Sequence, residues 1–300
     1  MTEINQALGK VISKYRTGAK ISQEELADRA GIHRTYVSQI ERGLKSPTLS
    51  ILLKISKSLN TTASILIAEI EQNKKKQMTY LINSKFNISC GFQVNDQHIK
   101  SALHQTNESL ETLPSSVYRK IDIKTTSSII GSMFCQSIAS TTGAIVNPIE
   151  KGYPDIIPKE GENSSEELLR NYPLGLEIKC TIGSKTKGDL RAGESRITNL
   201  KGIVWQAHHR EVKQLLGLVW DFVQSEEHDF NYPKITAIFY SDNLVTDDWG
   251  QISGMEGRNT KVCSMVISGK QKMANGWVAI IDDPQYKETY QKIMNFSIDQ

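Results

Sequence analysis

The chain has 300 residues, of which 38% are hydrophobic and 23% charged, and this composition is typical of a soluble protein with two domains. No segment approaches the roughly 18 consecutive apolar residues of a membrane span, the N-terminus does not resemble a secretory signal, and the four cysteines form no CxxC pair. These features predict that the protein has no membrane span, no disulfide framework and no zinc ribbon. They also predict a cytoplasmic location. Residues 1–77 contain 13 Lys and Arg against 7 Asp and Glu, whereas residues 78–300 contain 23 against 26. Such a basic N-terminal part indicates a polyanionic partner.

Residues 1–72 have the apolar spacing of five successive helices. Residues that start or stop helices separate them: Gly18, the capping box Ser22 and Glu25, Gly31, Gly43 and Pro47-Thr48. The second and third helices are short and are joined by a turn at Gly31. With another helix packed behind them, they predict an all-α helix-turn-helix domain over residues 1–72.

This region resembles the lambda-repressor-like (XRE) family of DNA-binding domains. The resemblance lies in the motifs SQEELA, AGI, YVSQIERG and PTL between Ser22 and Leu49. It implies a phosphate contact for Gln23, base contacts for Arg34 and Thr35, secondary contacts for Ser38 and Gln39, and a phosphate contact for Lys45. Arg34 is the first choice as a base reader because arginine can pair bidentately with guanine. We expect Glu41 and Arg42 to form an ordinary surface pair.

Residues 73–79 begin with a basic run and predict a linker, which either contacts DNA or is simply solvated. From residue 80 onward the pattern changes to mixed helix and strand. Residues 127–140 fit a buried helix, residues 147–158 a turn that leads into a short strand, and residues 215–222 an apolar strand.

The run from Leu174 to Ile182 alternates apolar and polar residues and predicts a strand. Glu177 and Lys179 then share one face of it, roughly 7 Å apart. If Asp155 lies on the neighbouring strand, its carboxylate joins them. Two adjacent carboxylates repel each other unless a cation lies between them, and Mg²⁺ prefers such oxygen ligands.

Pro154-Asp155 and Glu177-Ile178-Lys179 resemble the motif of the PD-(D/E)XK nucleases. The resemblance implies an α/β restriction-endonuclease-like domain with a central mixed sheet over residues 80–300. It also implies Asp155, Glu177 and Lys179 as catalytic residues, with Asp155 and Glu177 as ligands of Mg²⁺. The chain has a second E-x-K at Glu211 and a D-x-K at Asp122, so ordinary surface charges are the alternative.

Three further features surround this motif. Family members often place an additional acid on the preceding helix, but residues 127–140 contain none, so Glu150 or Gln136 is expected to substitute. Four cations follow the motif in a glycine-rich segment suited to a phosphate backbone: Lys185, Lys187, Arg191 and Arg196. His208 and His209 would point to opposite sides of a strand and are expected to be either accessory or structural histidines.

The segment from Gly152 to Phe222 resembles type II restriction endonucleases, within them the ScaI-type group. The implied function is Mg²⁺-dependent, sequence-specific hydrolysis of double-stranded DNA by a homodimer, with a cognate DNA methyltransferase as its genetic partner. The helix-turn-helix would recognise the target, regulate its own promoter, or do both. The alternative is an XRE-family transcriptional regulator whose C-terminal domain senses a ligand or mediates oligomerisation. A repressor fused to a zinc protease is excluded because the sequence has no H-E-x-x-H.

Overall fold

A computed structural model describes residues 3–76, 78–185, 193–224, 231–253 and 262–298. The chain divides into two compact units, Met1–Met78 and Thr79–Gln300.

The first unit is helical, and its five predicted helices are present. They are α1 (Glu3–Gly18), α2 (Gln23–Ala30), α3 (Arg34–Glu41), α4 (Leu49–Ser58) and α5 (Ala63–Lys76). Helix α5 extends four residues beyond the predicted end, so the first part of the predicted linker is helical. Gln and Lys are good helix formers, and no glycine or proline interrupts this stretch.

Local capping fixes the ends of α2. The hydroxyl of Ser22 accepts a hydrogen bond from the Glu25 amide at 3.1 Å, and Gly31 ends the helix with φ 61°. The predicted capping box is only half formed, because the Glu25 carboxylate contacts the guanidinium of Arg29, 2.5 Å away. The helices enclose a core of aliphatic side chains, including Ile12, Leu26, Ile40, Ile55 and Leu66.

No single helix in the described ranges is long and apolar enough to cross a membrane. Helices α4 and α5 together reach the necessary length and composition, but the chain bends by 102° between them. Their side chains Leu52, Ile55 and Leu66 are buried in the core of the first unit.

The second unit contains the mixed sheet that the sequence predicts. Its helices are α6 (Asp96–Thr112), α7 (Ser115–Tyr118), α8 (Ile123–Thr142), α9 (Glu166–Leu169), α10 (Ile267–Asn275) and α11 (Pro284–Met294). Its strands are β1 (Tyr80–Ile82), β2 (Ile88–Ser89), β3 (Gln93–Val94), β4 (Ile145–Val146), β5 (Ile156–Ile157), β6 (Glu177–Thr181), β7 (Ser184–Lys185), β8 (Leu200–Gly202), β9 (Gln206–Ala207), β10 (Leu215–Gln224), β11 (Asn231–Ser241), β12 (Cys263–Ser264) and β13 (Trp277–Ile281).

Five strands form the main sheet in the order β1-β13-β11-β10-β6. Strand β6 runs parallel to β10, with Glu177 opposite Leu215, and the other neighbours are antiparallel. Apolar residues of β10 are buried on both of its faces: Leu216 and Trp220 belong to the core that α8 covers, and the Gly217 backbone lies against the indole of Trp205. The sheet is therefore covered on both sides, as a strand with a parallel neighbour requires.

Two predicted strand boundaries are wrong. The strand containing the E-x-K motif begins at Glu177 rather than Leu174, and Leu174 is 52% exposed. Strand β9 ends at Ala207, so His208 and His209 follow it in a bend. The alternation argument for opposite-facing histidines therefore does not apply to them.

Candidate functional site

Asp155 lies beside the start of β6 because two chain segments approach closely there. It directly precedes β5, and Ile156 exchanges two backbone hydrogen bonds with Leu176, at 3.1 and 2.8 Å. Gly175 has φ 143°, and a Cβ at this position would lie 2.3 Å from the carbonyl oxygen of Ile156. Only glycine permits this approach, which places the Asp155 segment against the E-x-K strand.

The structure brings together Asp155, Glu177 and Lys179, the three residues that the sequence predicts as catalytic. The Asp155 carboxylate accepts a hydrogen bond of 2.8 Å from the Ile178 amide. The Lys179 ammonium donates to the carboxylate of Glu177, which is only 6% exposed. Glu177 and Lys179 thus share one side of β6, as the alternation predicts.

The electrostatics of this group follow from burial and from two facing carboxylates. Burial, and then the negative charge of Glu177, raises the pKa of Asp155 from 3.8 to about 7. Burial lowers the pKa of Lys179, but the carboxylates of Glu177 and Asp155 outweigh this effect, so the net pKa of the lysine is raised. The site therefore favours additional positive charge, whether a proton on Asp155 or a bound cation.

The donor set fits a hard divalent cation such as Mg²⁺. Mg²⁺ in phosphate chemistry is commonly held by one or two carboxylates, with water and substrate oxygens completing the coordination. The Asp155 and Glu177 carboxylates supply such ligands. Within the described ranges, no group of three or more His, Cys, Asp or Glu side chains is arranged to hold a metal.

The predicted substitutes for an additional acid lie at the surface of the second unit. Gln136 and Glu150 are both exposed. The residue of α8 directed at the site is Cys135, which is buried and whose thiol pKa is raised well above 9.0 by burial and by the charges of Asp155 and Glu177. Adjacent helix positions differ by about 100° around the axis, so a shift of one residue turns Gln136 away.

Tyr153, from the Asp155 segment, and residues 208–211 also lie near the site. Tyr153 precedes the PD pair, and its ring packs edge-on against the imidazole of His209, with 4.7 Å between the ring centroids. Nδ1 of His209 lies 3.2 Å from Oε2 of Glu211. Tyr153 and Glu211 were not predicted as site residues, and the second E-x-K motif was the only sequence signal at Glu211. His208 is exposed, whereas His209 is half-buried.

Of the four predicted phosphate contacts, Lys187 and Arg191 lie outside the described residues. Lys185 is in the short strand β7. Arg196 is tied to the protein, because its guanidinium donates to the Gly183 carbonyl at 3.2 Å and its amide donates to the buried Asp221 carboxylate at 2.8 Å. The bond to Gly183 uses one of the five N–H donors of the guanidinium, so the predicted contact with DNA would be made by the others.

In the first unit, the predicted DNA contacts are arranged around α3. Val37 and Ile40 of this helix are buried, while Arg34 and Thr35 are exposed and Ser38 and Gln39 are half-buried. The Arg34 guanidinium lies 2.7 Å from the Glu24 carboxylate; both side chains are more than half exposed, so the pair can exchange for a DNA contact. Lys45 is exposed in the loop that follows α3.

The expectation that Glu41 pairs with Arg42 is wrong. Glu41 accepts hydrogen bonds from the Arg16 guanidinium at 2.6 and 3.1 Å and from the side-chain amide of Gln23 at 2.7 Å. The Arg42 side chain instead donates to the Ser38 carbonyl at 3.3 Å. The Glu41 carboxylate thus joins α1, α2 and α3. It also binds the side chain of Gln23, which the sequence predicts to contact a DNA phosphate.

Comparison with known proteins matches residues 12–66 to the helix-turn-helix family HTH_3. The control protein C.SmaI of Serratia marcescens is 38% identical over 65 residues, which are 22% of this chain and 77% of that protein. The control protein C.BamHI of Bacillus amyloliquefaciens is 43% identical over 65 residues, which are 21% of this chain and 80% of that protein.

Other relatives share a similar length of sequence. An uncharacterized HTH-type transcriptional regulator of Mycobacterium tuberculosis is 40% identical over 58 residues, 19% of this chain and 41% of that protein. Among solved structures, the restriction-modification controller protein C.AhdI of Aeromonas hydrophila is 32% identical, with a TM-score of 0.21; the match covers 21% of this chain and 94% of that one. These matches each cover about a fifth of the chain.

Proposed function

The chain belongs to the helix-turn-helix family through its N-terminal domain, and from this premise we propose that it is a type II restriction endonuclease that hydrolyses double-stranded DNA at a specific sequence with Mg²⁺. The XRE-type domain binds double-stranded DNA and serves in target recognition, in regulation of the protein's own promoter, or in both. The C-terminal unit carries the hydrolytic site.

The observation that carries the proposal is the grouping of Asp155, Glu177 and Lys179 at the start of β6. Two facing carboxylates, of which Glu177 is buried and Asp155 half-buried, are costly unless a cation compensates their charge, and an ordinary surface pair would be more exposed. The Ile178 amide, which donates to Asp155, fixes the orientation of that carboxylate. This arrangement supports phosphodiester hydrolysis more directly than ligand sensing, for which these three residues would have no common purpose.

Each residue has a distinct task in the proposed reaction. Asp155 and Glu177 would hold Mg²⁺, which, when bound, lowers the pKa of a water molecule and stabilises charge on the phosphate. Lys179, whose ammonium the two carboxylates keep protonated, donates to the attacked phosphate or orients the water. Each cut through both strands is expected to leave two new DNA ends. Because a palindromic duplex has two-fold symmetry, a homodimer of this chain is the simplest assembly that cuts both strands.

The two E-x-K motifs of the chain provide a matched test. Purified full-length protein is incubated with Mg²⁺ and sequence-diverse phage or plasmid DNA, and discrete fragments are expected from the wild type and from Lys213→Met. Asp155→Asn and Lys179→Met are expected to bind the same DNA without cutting it. Cleavage by Asp155→Asn at the wild-type rate would show that the site has been assigned wrongly.

The second candidate is a transcriptional regulator, which is favoured by the regulators and control proteins among the relatives. Under that hypothesis the wild type binds one site upstream of its own gene but cuts none of the DNA at any Mg²⁺ concentration. Binding and cleavage measured on the same DNA therefore separate the two functions.

A further inference from the structure

The proposed hydrolysis requires a group that accepts a proton from the attacking water. Lys179 is engaged with Glu177 as an ammonium, which has no lone pair to accept a proton. Asp155 and Glu177 would be occupied as ligands. Cys135 is a buried thiol. None of these four residues supplies an uncommitted proton acceptor.

His209 is brought towards this group, because two segments meet at one edge of the sheet. Strands β6 and β10 are parallel, so the segments that precede them lie at the same edge, and Leu215 is opposite Glu177. Residues 208–214 lead directly into β10. The imidazole of His209 packs against the Tyr153 ring, two residues before Asp155.

Contacts reach both the backbone and the ring of His209. The thiol of Cys263 donates to the His209 carbonyl, with 3.3 Å between sulfur and oxygen. Nδ1 of the imidazole lies 3.2 Å from the Glu211 carboxylate. A carboxylate at this nitrogen favours the neutral tautomer that has its proton on Nδ1, and Nε2 is then left with the lone pair.

We propose that His209, oriented by Glu211, is the general base of the site and accepts the proton of the attacking water on Nε2. This inference rests on the proposed nuclease function. The water oxygen forms a bond to phosphorus while its proton passes to Nε2. The bond from phosphorus to O3′ breaks, and O3′ takes a proton from solvent. The imidazolium then returns its proton to solvent, so the enzyme is restored.

The charged and titratable groups around His209 determine its protonation. They come from its own segment, from β6, from the segment before β5 and from β12: Glu211, His208, Arg210, Lys179, Tyr153 and Cys263. Burial lowers the pKa of His209, Glu211 opposes this and Lys179 adds to it, and the net pKa lies below 6.5. The imidazole is therefore neutral at pH 7, as a proton acceptor must be.

Single-turnover cleavage by the full-length protein tests the proposal at saturating Mg²⁺. His209→Gln is expected to lower the rate by about 100-fold or more, which is the typical contribution of general-base catalysis. Added imidazole is expected to restore cleavage by His209→Gly. The matched control is His104→Gln, since His104 also contacts a glutamate, Glu108, at 3.4 Å, but does so on α6. This control is expected to cleave like the wild type.

A nuclear magnetic resonance titration of the histidines without Mg²⁺ gives a readout independent of activity. Glu211→Gln is expected to lower the pKa of His209, because a carboxylate that favours the imidazolium is removed, and Lys179→Met to raise it. Wild-type cleavage by His209→Gln, or a slow variant that imidazole does not rescue, would overturn the general-base role. Absence of cleavage by the wild type would instead overturn the nuclease function, and this inference with it.

Discussion

The half-buried carboxylate of Asp155 predicts an unusual dependence of stability on pH. Its pKa is raised from 3.8 to about 7 by burial and by Glu177. A carboxyl group whose pKa is higher in the folded state than in the unfolded state contributes its full stability below the unfolded pKa. As the pH rises through the folded pKa, that stability is lost, because the unfolded state gives up the proton more readily. Without divalent cations, the C-terminal unit is therefore expected to lose stability from pH 4 to pH 8.

The magnitude follows from the size of the shift. A change of about three pKa units corresponds to about 4 kcal/mol in total, of which roughly 2–3 kcal/mol falls between pH 5 and pH 8. Asp155→Asn has no charge to bury and is expected to lack this loss. It should thus be more stable than the wild type at pH 8, although the same substitution abolishes the proposed activity.

Urea unfolding at pH 5 and pH 8, followed by tryptophan fluorescence, measures this difference. All four tryptophans, Trp205, Trp220, Trp249 and Trp277, lie in the C-terminal unit, so the signal reports on that unit alone. Asp122→Asn is the control. Its carboxyl pKa is lowered from 3.8 by hydrogen bonds, chiefly from the Thr125 amide, so it does not titrate between pH 5 and pH 8.

Two results would refute this reasoning. The first is an identical change in unfolding free energy between pH 5 and pH 8 for the wild type and Asp155→Asn. The second concerns Mg²⁺, which should stabilise the wild type at pH 8 by neutralising the two carboxylates but should have little effect on Asp155→Asn. Equal stabilisation of both proteins would place the cation elsewhere.

Three further predictions concern the first unit and the oligomeric state. Glu41→Gln removes the charge that Arg16 contacts at 2.6 Å and should destabilise the first unit by about 3 kcal/mol. In urea, the helical circular dichroism should then begin to fall at a lower concentration than the one at which tryptophan fluorescence changes, and a circular dichroism transition unchanged from that of the wild type would contradict the prediction. Arg34→Ala should weaken binding to the specific DNA site by about 1–3 kcal/mol while barely changing binding to random DNA, whereas an equal loss on both in a fluorescence titration would indicate a phosphate contact. Sedimentation of the full chain should give about 67 kDa, twice the 33.6 kDa of one chain, and a monomer that breaks both strands in one binding event would rule out the dimer.

The amino-acid sequence by itself determined the features that depend on neighbouring residues. The five helices of the first unit follow from apolar spacing and from local caps such as Ser22 and Gly31, whose hydrogen bonds stay within a few residues. The common orientation of Glu177 and Lys179 follows from the two-residue period of a strand. The linker was misjudged because nothing in residues 73–76 stops a helix.

Only the tertiary structure decided which distant side chains meet. Glu41 contacts Arg16, 25 residues earlier, rather than the adjacent Arg42, because the packing of three helices brings the former pair together. Cys135 rather than Gln136 faces the carboxylates, since the rotation of α8 is set by the sheet it covers. The imidazole of His209 meets Tyr153 across 56 residues of sequence. Periodicity fixes which residues share a face of one element, but the contacts between elements depend on how their surfaces pack, and no local pattern encodes that packing.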